Sequence, residues 1–175
     1  MQGVVKTGDL CIEFQSKMAS ARALSDQRAY EKASVLEYII LQARIRLFGN
    51  LHPLTVATMV NLAISKSEFG EFEAAERLEE VVMDLRMEIL GELHSDTLLA
   101  MHNLAYTRRA WKKTSASLRL MERCVELRLQ VLGSEHKSTR NFRETLERWR
   151  RADQDQPSDR TPVSTPVMVV PDYIN

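Results

Sequence analysis

The stretch "LGELHSDTLLAMHNLA", from Leu90 to Ala105, has the pattern of a helix end, a short turn and the start of a second helix. Two similar stretches flank it: "FGNLHPLTVATMVNLA" begins at Phe48, and "LGSEHKSTRNFRETLE" begins at Leu132. In each stretch a glycine follows the first residue and a histidine comes three residues after that glycine, so the pattern recurs every 42 residues. One junction repeated three times in a chain is typical of a structure built from repeated units.

The 42-residue period extends beyond the junctions. Residues 49–90 and 91–132 align without a gap and share 15 identical residues in 42 positions, whereas unrelated segments of average composition would share about 3. Within a period, apolar residues recur every three or four positions, which places them on one face of a helix. The predicted inner face of the longer helix comprises Phe72, Ala75, Leu78, Val82, Leu85 and Ile89, together with the equivalent residues 42 positions away on either side. The shorter helix has Met59, Leu62 and Ala63 inside, echoed by Met101, Leu104 and Ala105.

The junction residues predict where each helix ends and where the next begins. Gly49, Gly91 and Gly133 each follow the last periodic residue of a longer helix, where glycine can end the helix in a left-handed conformation without strain. Pro53 suits the first turn of the following helix. The predicted N-cap residues of the later short helices are Ser95 or Asp96, and Ser138 or Thr139.

The junction histidines, His52, His94 and His136, raise the question of a metal site. Equivalent turns in stacked helix pairs lie roughly 10 Å apart. Zinc ligands lie about 2 Å from their metal, so two of these histidines cannot share one ion. We therefore predict no metal site and expect each histidine to hydrogen-bond the exposed backbone groups of a helix end.

Composition narrows the function further. The chain has 175 residues, with 24 basic and 24 acidic side chains, and this balance gives it no general attraction to nucleic acid or to an acidic membrane. No apolar run approaches the roughly 20 residues that span a bilayer. Cys11 and Cys124 are far apart, and Cys124 takes the place of Val82 in the repeat, which predicts a core residue. Motifs for catalysis or cofactor binding are absent. We expect a cytoplasmic protein that is not an enzyme, with no cofactor and no nucleic-acid or membrane partner.

The repeated residues also resemble a known family. The pattern "LG..H..T...M.NLA", followed by "G.FE.AE.L" and "R...LG", is similar to the 42-residue tetratricopeptide repeat of kinesin light chains. It is similar as well to the repeat arrays at the C-termini of fungal NACHT or NB-ARC proteins, which are receptor-like NTPases. The resemblance covers about residues 10–150 and is strongest over 48–133. It implies an all-α fold, a right-handed superhelix (α-solenoid) of three helix pairs plus a C-terminal capping helix.

The same register predicts the domain organisation. The repeats would span about 11–48, 53–90 and 95–132, with a capping helix over 137–151, in a helical domain over 9–152 that follows a flexible N-terminus, 1–8. Trp149 is predicted to cover the open end of the core. Residues 153–175 contain four of the five prolines, which predicts a disordered tail. Its apolar piece, Val167–Val170, leaves open a recognition element that binds the protein's own groove.

The resemblance further implies a function in protein–protein interaction, because in this family the shorter helices line a concave groove that binds peptides. The corresponding positions are Met18, Arg22, Val60, Asn61, Ile64, Glu68, His102, Asn103, Tyr106, Arg109, Glu144 and Arg148. Asn61 and Asn103 are the leading candidates, since an amide side chain both donates and accepts and can hold a peptide backbone of any sequence. The alternative for these two residues is a hydrogen bond to a neighbouring helix alone.

A second functional hypothesis belongs to a different class of protein. The chain would then be a C-terminal sensor or regulatory fragment of a NACHT/NB-ARC receptor-like protein, and its partner a larger NTPase-containing assembly. The chain has no G-x-x-x-x-G-K-[ST] motif, so the nucleotide-binding domain of such a protein would have to lie outside it.

Overall fold

The computed structural model describes residues 7–154, with side chains from Glu13 onward. This part of the chain forms seven α-helices and no strand. The helices are α1 (Thr7–Asp26), α2 (Tyr30–Phe48), α3 (Pro53–Phe69), α4 (Phe72–Leu90), α5 (Ser95–Ala110), α6 (Thr114–Leu132) and α7 (Lys137–Gln154). The prediction of an all-helical fold is thus confirmed. The helical region begins two residues before the predicted boundary at residue 9, and α7 continues three residues past the predicted end at 151. The rest of the predicted tail, with Val167–Val170, lies outside the described residues.

Each helix packs against the next one in the chain, from α1 on α2 through to α6 on α7. The odd-numbered helices also contact one another side by side. Ser25 and Ser65 link α1 to α3 at 3.4 Å, and the hydroxyl of Thr107 in α5 donates to Ser67 in α3 at 3.1 Å. The rings of His102 in α5 and Phe142 in α7 lie 4.3 Å apart. We call the surface formed by α1, α3, α5 and α7 the odd-helix face.

The junction glycines have the positive φ angles that the sequence predicts, +81° at Gly49, +84° at Gly91 and +75° at Gly133. Their ψ angles, between 163° and 172°, differ from those of the left-handed helical conformation that we expected. The backbone is instead in a region of positive φ and extended ψ that is open essentially to glycine alone. Each glycine therefore ends its helix in a conformation that a residue with a side chain would adopt only with strain.

The junction histidines are the N-cap residues, and the prediction of Ser95 or Asp96, and of Ser138 or Thr139, is wrong. The Nδ1 atom of His94 accepts a hydrogen bond from the backbone N–H of Asp96 at 3.1 Å. His52 and His136 make the same contact with the N–H groups two residues after them, at 3.2 Å each. Our expectation that these histidines bind exposed helix-end backbone groups is confirmed, since each satisfies one of the free N–H donors of a first turn.

A repeated arginine ties each even-numbered helix to the odd-numbered helix that follows it. The guanidinium of Arg44 donates to the carbonyl of Leu54 at 2.9 Å, and that of Arg86 donates to the carbonyl of Asp96 at 2.9 Å. Arg128 donates instead to the hydroxyl of Ser138 at 2.6 Å. Each arginine thus reaches ten residues forward across the junction. Such charge-assisted bonds fix the angle between the two helices more firmly than a neutral hydrogen bond would.

The core lies between the two sets of helices and follows most of the predicted pattern. Ile40, Val82 and Leu104 are fully or almost fully buried, and Cys124 is a buried core residue as predicted. Trp149 is buried with Leu146 against α5 and α6, so it covers the end of the core. The predicted faces extend one turn too far, because the last member of each is exposed: Leu47, Ile89 and Val131. Among the described residues, no helix is long and apolar enough to cross a membrane.

Candidate functional site

The predicted groove residues lie mainly in three crevices, each formed where two adjacent odd-numbered helices meet. The first crevice, between α1 and α3, includes Met18, Arg22, Asn61 and Ile64 and has a volume of about 120 Å³. The second, between α3 and α5, includes Val60 and Asn103 and holds only about 10 Å³. The third, between α5 and α7, includes His102, Tyr106, Glu144 and Arg148 and is the largest of the three at about 580 Å³. The structure thus distributes the predicted site along one face.

The first crevice combines an apolar wall with a polar floor. Ile64 is 43% exposed, and Met18 is half-buried opposite it. The amide of Asn61 is half-buried and makes no side-chain hydrogen bond within the described residues. At the floor lie Ser65 and Glu37, a carboxyl group that is only 3% exposed. Burial raises the pKa of Glu37, and a hydrogen bond from Ser65 opposes that shift.

The second crevice repeats this arrangement in a tighter form. Glu79, 42 residues after Glu37, lies beneath Val60 and Asn103 and is 5% exposed. Burial raises the pKa of Glu79 to about 7; the side chain of Thr107 opposes this shift, and the negative charge of Glu76 adds to it. The amide of Asn103 interacts with the imidazole of His102. The small volume admits no side chain of a partner, so contact here is confined to the rim.

The third crevice is lined by an aromatic cluster. His102 lies 4.6 Å from the ring of Tyr106 and 4.3 Å from Phe142, and Tyr106 lies edge-on to Trp149 at 5.0 Å, all measured between ring centroids. Burial lowers the pKa of His102; a hydrogen bond with Asn103 opposes this shift, and the charge of Arg128 adds to it. The imidazole is therefore neutral at pH 7. Arg148 is exposed at the mouth of this crevice.

Two predicted residues, Arg109 and Glu68, are not brought into these crevices. The guanidinium of Arg109 pairs with both carboxylate oxygens of Asp153, at 2.6 and 2.8 Å, and lies 5.5 Å from the ring of Trp149. It anchors the last turn of α7 to α5, so its charge is already paired. Glu68 is exposed in the last turn of α3.

Sequence reasoning missed several residues that the structure adds to the site. Glu37 and Ser65 form the floor of the first crevice, and Phe142 forms a wall of the third. The sequence did contain a signal for Glu37, because Glu37 and Glu79 are spaced 42 residues apart next to an apolar face. Phe142 had no such signal, since the last helix departs from the repeat. Among the described residues, no three histidine, cysteine or acidic side chains form a group that could hold a metal ion.

The comparisons with known proteins agree with this architecture. The sequence pattern of the tetratricopeptide repeat matches residues 55–96 and 97–138, so the chain contains tetratricopeptide repeats. No curated protein matches the chain. A solved structure from Podosopora anserina, described as a kinesin light chain with nearly identical repeats of this type, has a TM-score of 0.73 at 23% identity. The match covers 81% of this chain and 67% of that one.

Two more distant solved structures have the same kind of fold. BtubC (BKLC) from P. vanneervenii has a TM-score of 0.64 at 13% identity, over 90% of this chain and 71% of that one. The tetratricopeptide repeat domain of Sgt2 from Aspergillus fumigatus has a TM-score of 0.54 at 17% identity, over 87% of this chain and 91% of that one. At these identities the likeness concerns the fold. The chain thus contains tetratricopeptide repeats and has the helical repeat fold of these structures.

Proposed function

We propose that this chain is a non-catalytic protein–protein interaction module that binds an extended peptide, or an extended segment of a partner protein, along the odd-helix face. The finer architecture belongs to this proposal: three helix pairs plus a capping α7 form a right-handed superhelix, with the odd-helix face on its concave side. Tetratricopeptide repeat domains generally bind protein or peptide partners. A cytoplasmic location is part of the same proposal.

The observation that carries the proposal is the state of Asn61. Its amide lies at the mouth of the first crevice and is not used by a neighbouring helix within the described residues. An amide group can donate to a peptide carbonyl and accept from a peptide N–H at the same time. Asn103 holds the equivalent position in the next repeat, and its amide interacts with His102. Two such amides in successive repeats would fix an extended backbone at two points.

The other predicted residues would then contact side chains of the partner. Ile64 and Tyr106 are 43% and 39% exposed, and both lie next to a crevice, which suits apolar contacts. Arg22, Glu144 and Arg148 are exposed at the crevice mouths and would set charge preferences. Paired Arg109 would contribute less than an unpaired arginine, because the partner would have to compete with Asp153.

The test is a peptide selected from a random displayed library on the full chain. Its affinity is then measured by fluorescence polarisation for wild type and for Asn61→Ala/Asn103→Ala. Loss of the amide contacts should cost about 1–3 kcal/mol, or about 5- to 150-fold in affinity. Circular dichroism and a melting curve check that the variant remains folded. Unchanged affinity in a folded double variant would refute the proposal.

The control variant needs a surface position with no tertiary role. A residue such as Glu80 on α4 is unsuitable, because its carboxylate accepts a hydrogen bond from Arg108 of α5 at 2.6 Å. Asn50→Ala is better matched, since it removes the same amide group from an exposed turn away from the crevices. This variant should bind the selected peptide as wild type does. The hypothesis of a NACHT/NB-ARC sensor fragment in a larger NTPase-containing assembly stays a prediction.

A further inference from the structure

The floor of the first crevice contains a buried carboxylate with unused capacity to accept hydrogen bonds. Within the described residues, the Oε2 atom of Glu37 has no hydrogen-bond partner, although the residue is only 3% exposed. Burying a carboxylate is unfavourable unless a positive charge or several donors stabilise it. The hydroxyl of Ser65 opposes the increase in the pKa of this carboxyl group that burial causes. Glu37 lines a cavity of about 120 Å³ that opens on the odd-helix face.

Another buried glutamate of the same protein shows how the fold stabilises such a charge when it supplies the partners itself. Glu76 is 8% exposed; one of its oxygens accepts from Nε of Arg108 at 2.8 Å and the other from Nζ of Lys113 at 2.6 Å. In the described part of the chain, no lysine or arginine forms an ion pair with Glu37. Arg22 lines the same cavity as Glu37, but it is exposed and forms no ion pair within the described residues.

We propose that the first crevice is a subsite for a lysine side chain of the partner, with its ammonium group bound by Glu37. The inference rests on the proposed peptide-binding function and adds the chemistry of one partner residue. A lysine ammonium donates three hydrogen bonds, and the carboxylate of Glu37 and the hydroxyls of Ser25 and Ser65 are the acceptors at this cavity. The apolar stem of lysine would pass between Met18 and Ile64.

The cavity favours lysine over arginine. The ammonium of lysine is a compact point charge on a flexible stem, whereas the guanidinium is a broad planar group that needs several acceptors in one plane. Glu37 and two serine hydroxyls at the end of a small cavity fit the compact group better. The other two crevices lack this combination, because the second has Glu79 but a volume of only about 10 Å³. The third has ample room, but its carboxylate, Glu144, is exposed.

The probe for this subsite is capped lysine, N-acetyl-lysine N-methylamide, titrated into the full chain. Its matched partner is capped norleucine, which has the same four-carbon stem without the ammonium group. Methyl signals of Met18 and Ile64 in an NMR spectrum report on occupancy. Capped lysine should shift these signals saturably, and capped norleucine should bind at least tenfold more weakly. Glu37→Gln should weaken lysine binding at least tenfold, while Glu79→Gln should change it less than twofold.

Several results would overturn the lysine subsite. These are the absence of saturable shifts with capped lysine, equal binding of norleucine by wild type, or unchanged lysine affinity in Glu37→Gln. The norleucine comparison uses wild-type protein, so it decides the question even if Glu37→Gln does not fold. Arg22→Gln should bind capped lysine at least as tightly as wild type, and a loss of binding there would also contradict the assignment.

The lysine subsite at Glu37 and the backbone contact at Asn61 and Asn103 can be tested separately. Capped lysine is too short to use the two-point backbone contact, so it reports on the crevice alone. Lysine selectivity together with a selected peptide that is insensitive to Asn61→Ala/Asn103→Ala would support the subsite and remove the backbone contact. If a selected lysine-containing peptide loses affinity in Asn61→Ala/Asn103→Ala but not in Glu37→Gln, the backbone contact is supported and the lysine subsite is contradicted.

Discussion

The turn that precedes each even-numbered helix requires a positive φ angle at one position, yet only one of the three equivalent residues is a glycine. The φ angles are 57° at Arg28, 98° at Gly70 and 61° at Lys112. A left-handed conformation costs a residue with a side chain roughly 1–2 kcal/mol, and it costs glycine almost nothing. All three turns therefore have a positive φ angle, although two of them have arginine or lysine in place of glycine. This strain is local, because the packing of the flanking helices holds the turn in place.

The strained turn gives the first prediction. Lys112→Gly should stabilise the protein by about 0.5–1 kcal/mol, since relief of the left-handed conformation exceeds the added chain entropy of glycine in the unfolded state. Urea denaturation of purified proteins measures the change. The reciprocal variant Gly70→Ala should lose about 1 kcal/mol. Apart from its chain neighbours, no described residue has an atom within 4 Å of the new Cβ, so the loss would come from the backbone. A less stable Lys112→Gly protein would contradict the argument.

Glu79 gives the second prediction at the residue scale. Burial raises its pKa to about 7 from an ordinary value of 4.5, so the folded protein binds the proton more tightly than the unfolded chain does. The proton's contribution to stability is present below about pH 4.5 and is lost as the pH rises through about 7. Relative to wild type, Glu79→Gln should therefore be more stable at pH 8 than at pH 5, by up to about 3 kcal/mol.

The test of Glu79 is a series of denaturation curves between pH 5 and pH 8. Because other groups contribute equally to both proteins, the informative quantity is the difference in the free energy of unfolding between variant and wild type at each pH. Glu88→Gln, an exposed change on the same helix, serves as the control and should run parallel to wild type. A constant difference for Glu79→Gln across the range would show that the carboxyl group does not titrate there.

At the scale of the helices, the sequence predicts burial well and polar contacts poorly. The spacing of Leu62 and Leu104 identified two residues that are almost completely buried. Burial follows from periodicity, because one face of an amphipathic helix must pack against its neighbours. Periodicity did not predict the N-caps. Serine and aspartate are among the usual N-cap residues, whereas the structure uses histidine, as at His94. The positive φ angle of Lys112 was not predicted either, because lysine prefers a negative φ angle and the tertiary structure imposes a positive one.

The candidate site was predictable to the same partial extent. The resemblance to the tetratricopeptide repeat, applied in register, implied that Asn61 and Ile64 lie on one face, and the structure has both at one crevice. It did not show that Arg109 is paired, because Asp153 belongs to a helix outside the regular repeat. The volumes of the three crevices were equally out of reach, since they depend on how far adjacent helices are separated. Periodicity therefore predicts which positions share a face, and tertiary contacts decide which side chains on that face are already paired.

Helix α5 gives the prediction at this scale. Leu104 is completely buried in the middle of α5, between elements that precede and follow it. Leu104→Ala should cost about 2–5 kcal/mol, because the packed surroundings collapse only partly into the cavity. Urea denaturation measures the loss, and Leu99→Ala is the matched control because Leu99 is on the exposed side of the same helix. Equal losses from the two variants would mean that the inner face of α5 is assigned wrongly.

For the whole molecule, stability depends on contacts between neighbouring elements. Each helix packs mainly on the ones before and after it in the chain, so a perturbation should fade with distance along the stack. The last helix has a neighbour on one side only within the described residues. Leu146 and Trp149 hold it to the core, and the Arg109–Asp153 pair holds its last turn to α5. Because the third crevice lies between α5 and α7, the order of α7 determines whether that crevice keeps its shape.

The last prediction therefore concerns Asp153. Both side chains of the Arg109–Asp153 pair are about four-fifths buried, with exposed fractions of 20% and 22%. Removing the carboxylate should cost about 1–2 kcal/mol, between the values typical of surface pairs and of fully buried pairs. Asp153→Ala should thus speed amide hydrogen exchange in the last two turns of α7 by about 5–30-fold. Amides of α3 should exchange as in wild type, because α3 lies two odd-numbered helices away.

A surface pair on the same helix provides the control for Asp153. Arg151 and Glu147 are 3.4 Å apart and largely exposed, so Glu147→Ala should change exchange in α7 less than about twofold. The two variants each remove one carboxylate from α7, and they differ in whether that carboxylate reaches α5. Equal effects would mean that the charge of α7, and not its attachment to α5, governs its opening. Faster exchange of α3 amides in Asp153→Ala would instead show that the helices open as one cooperative unit. In that case the third crevice could not change shape while the first stays intact.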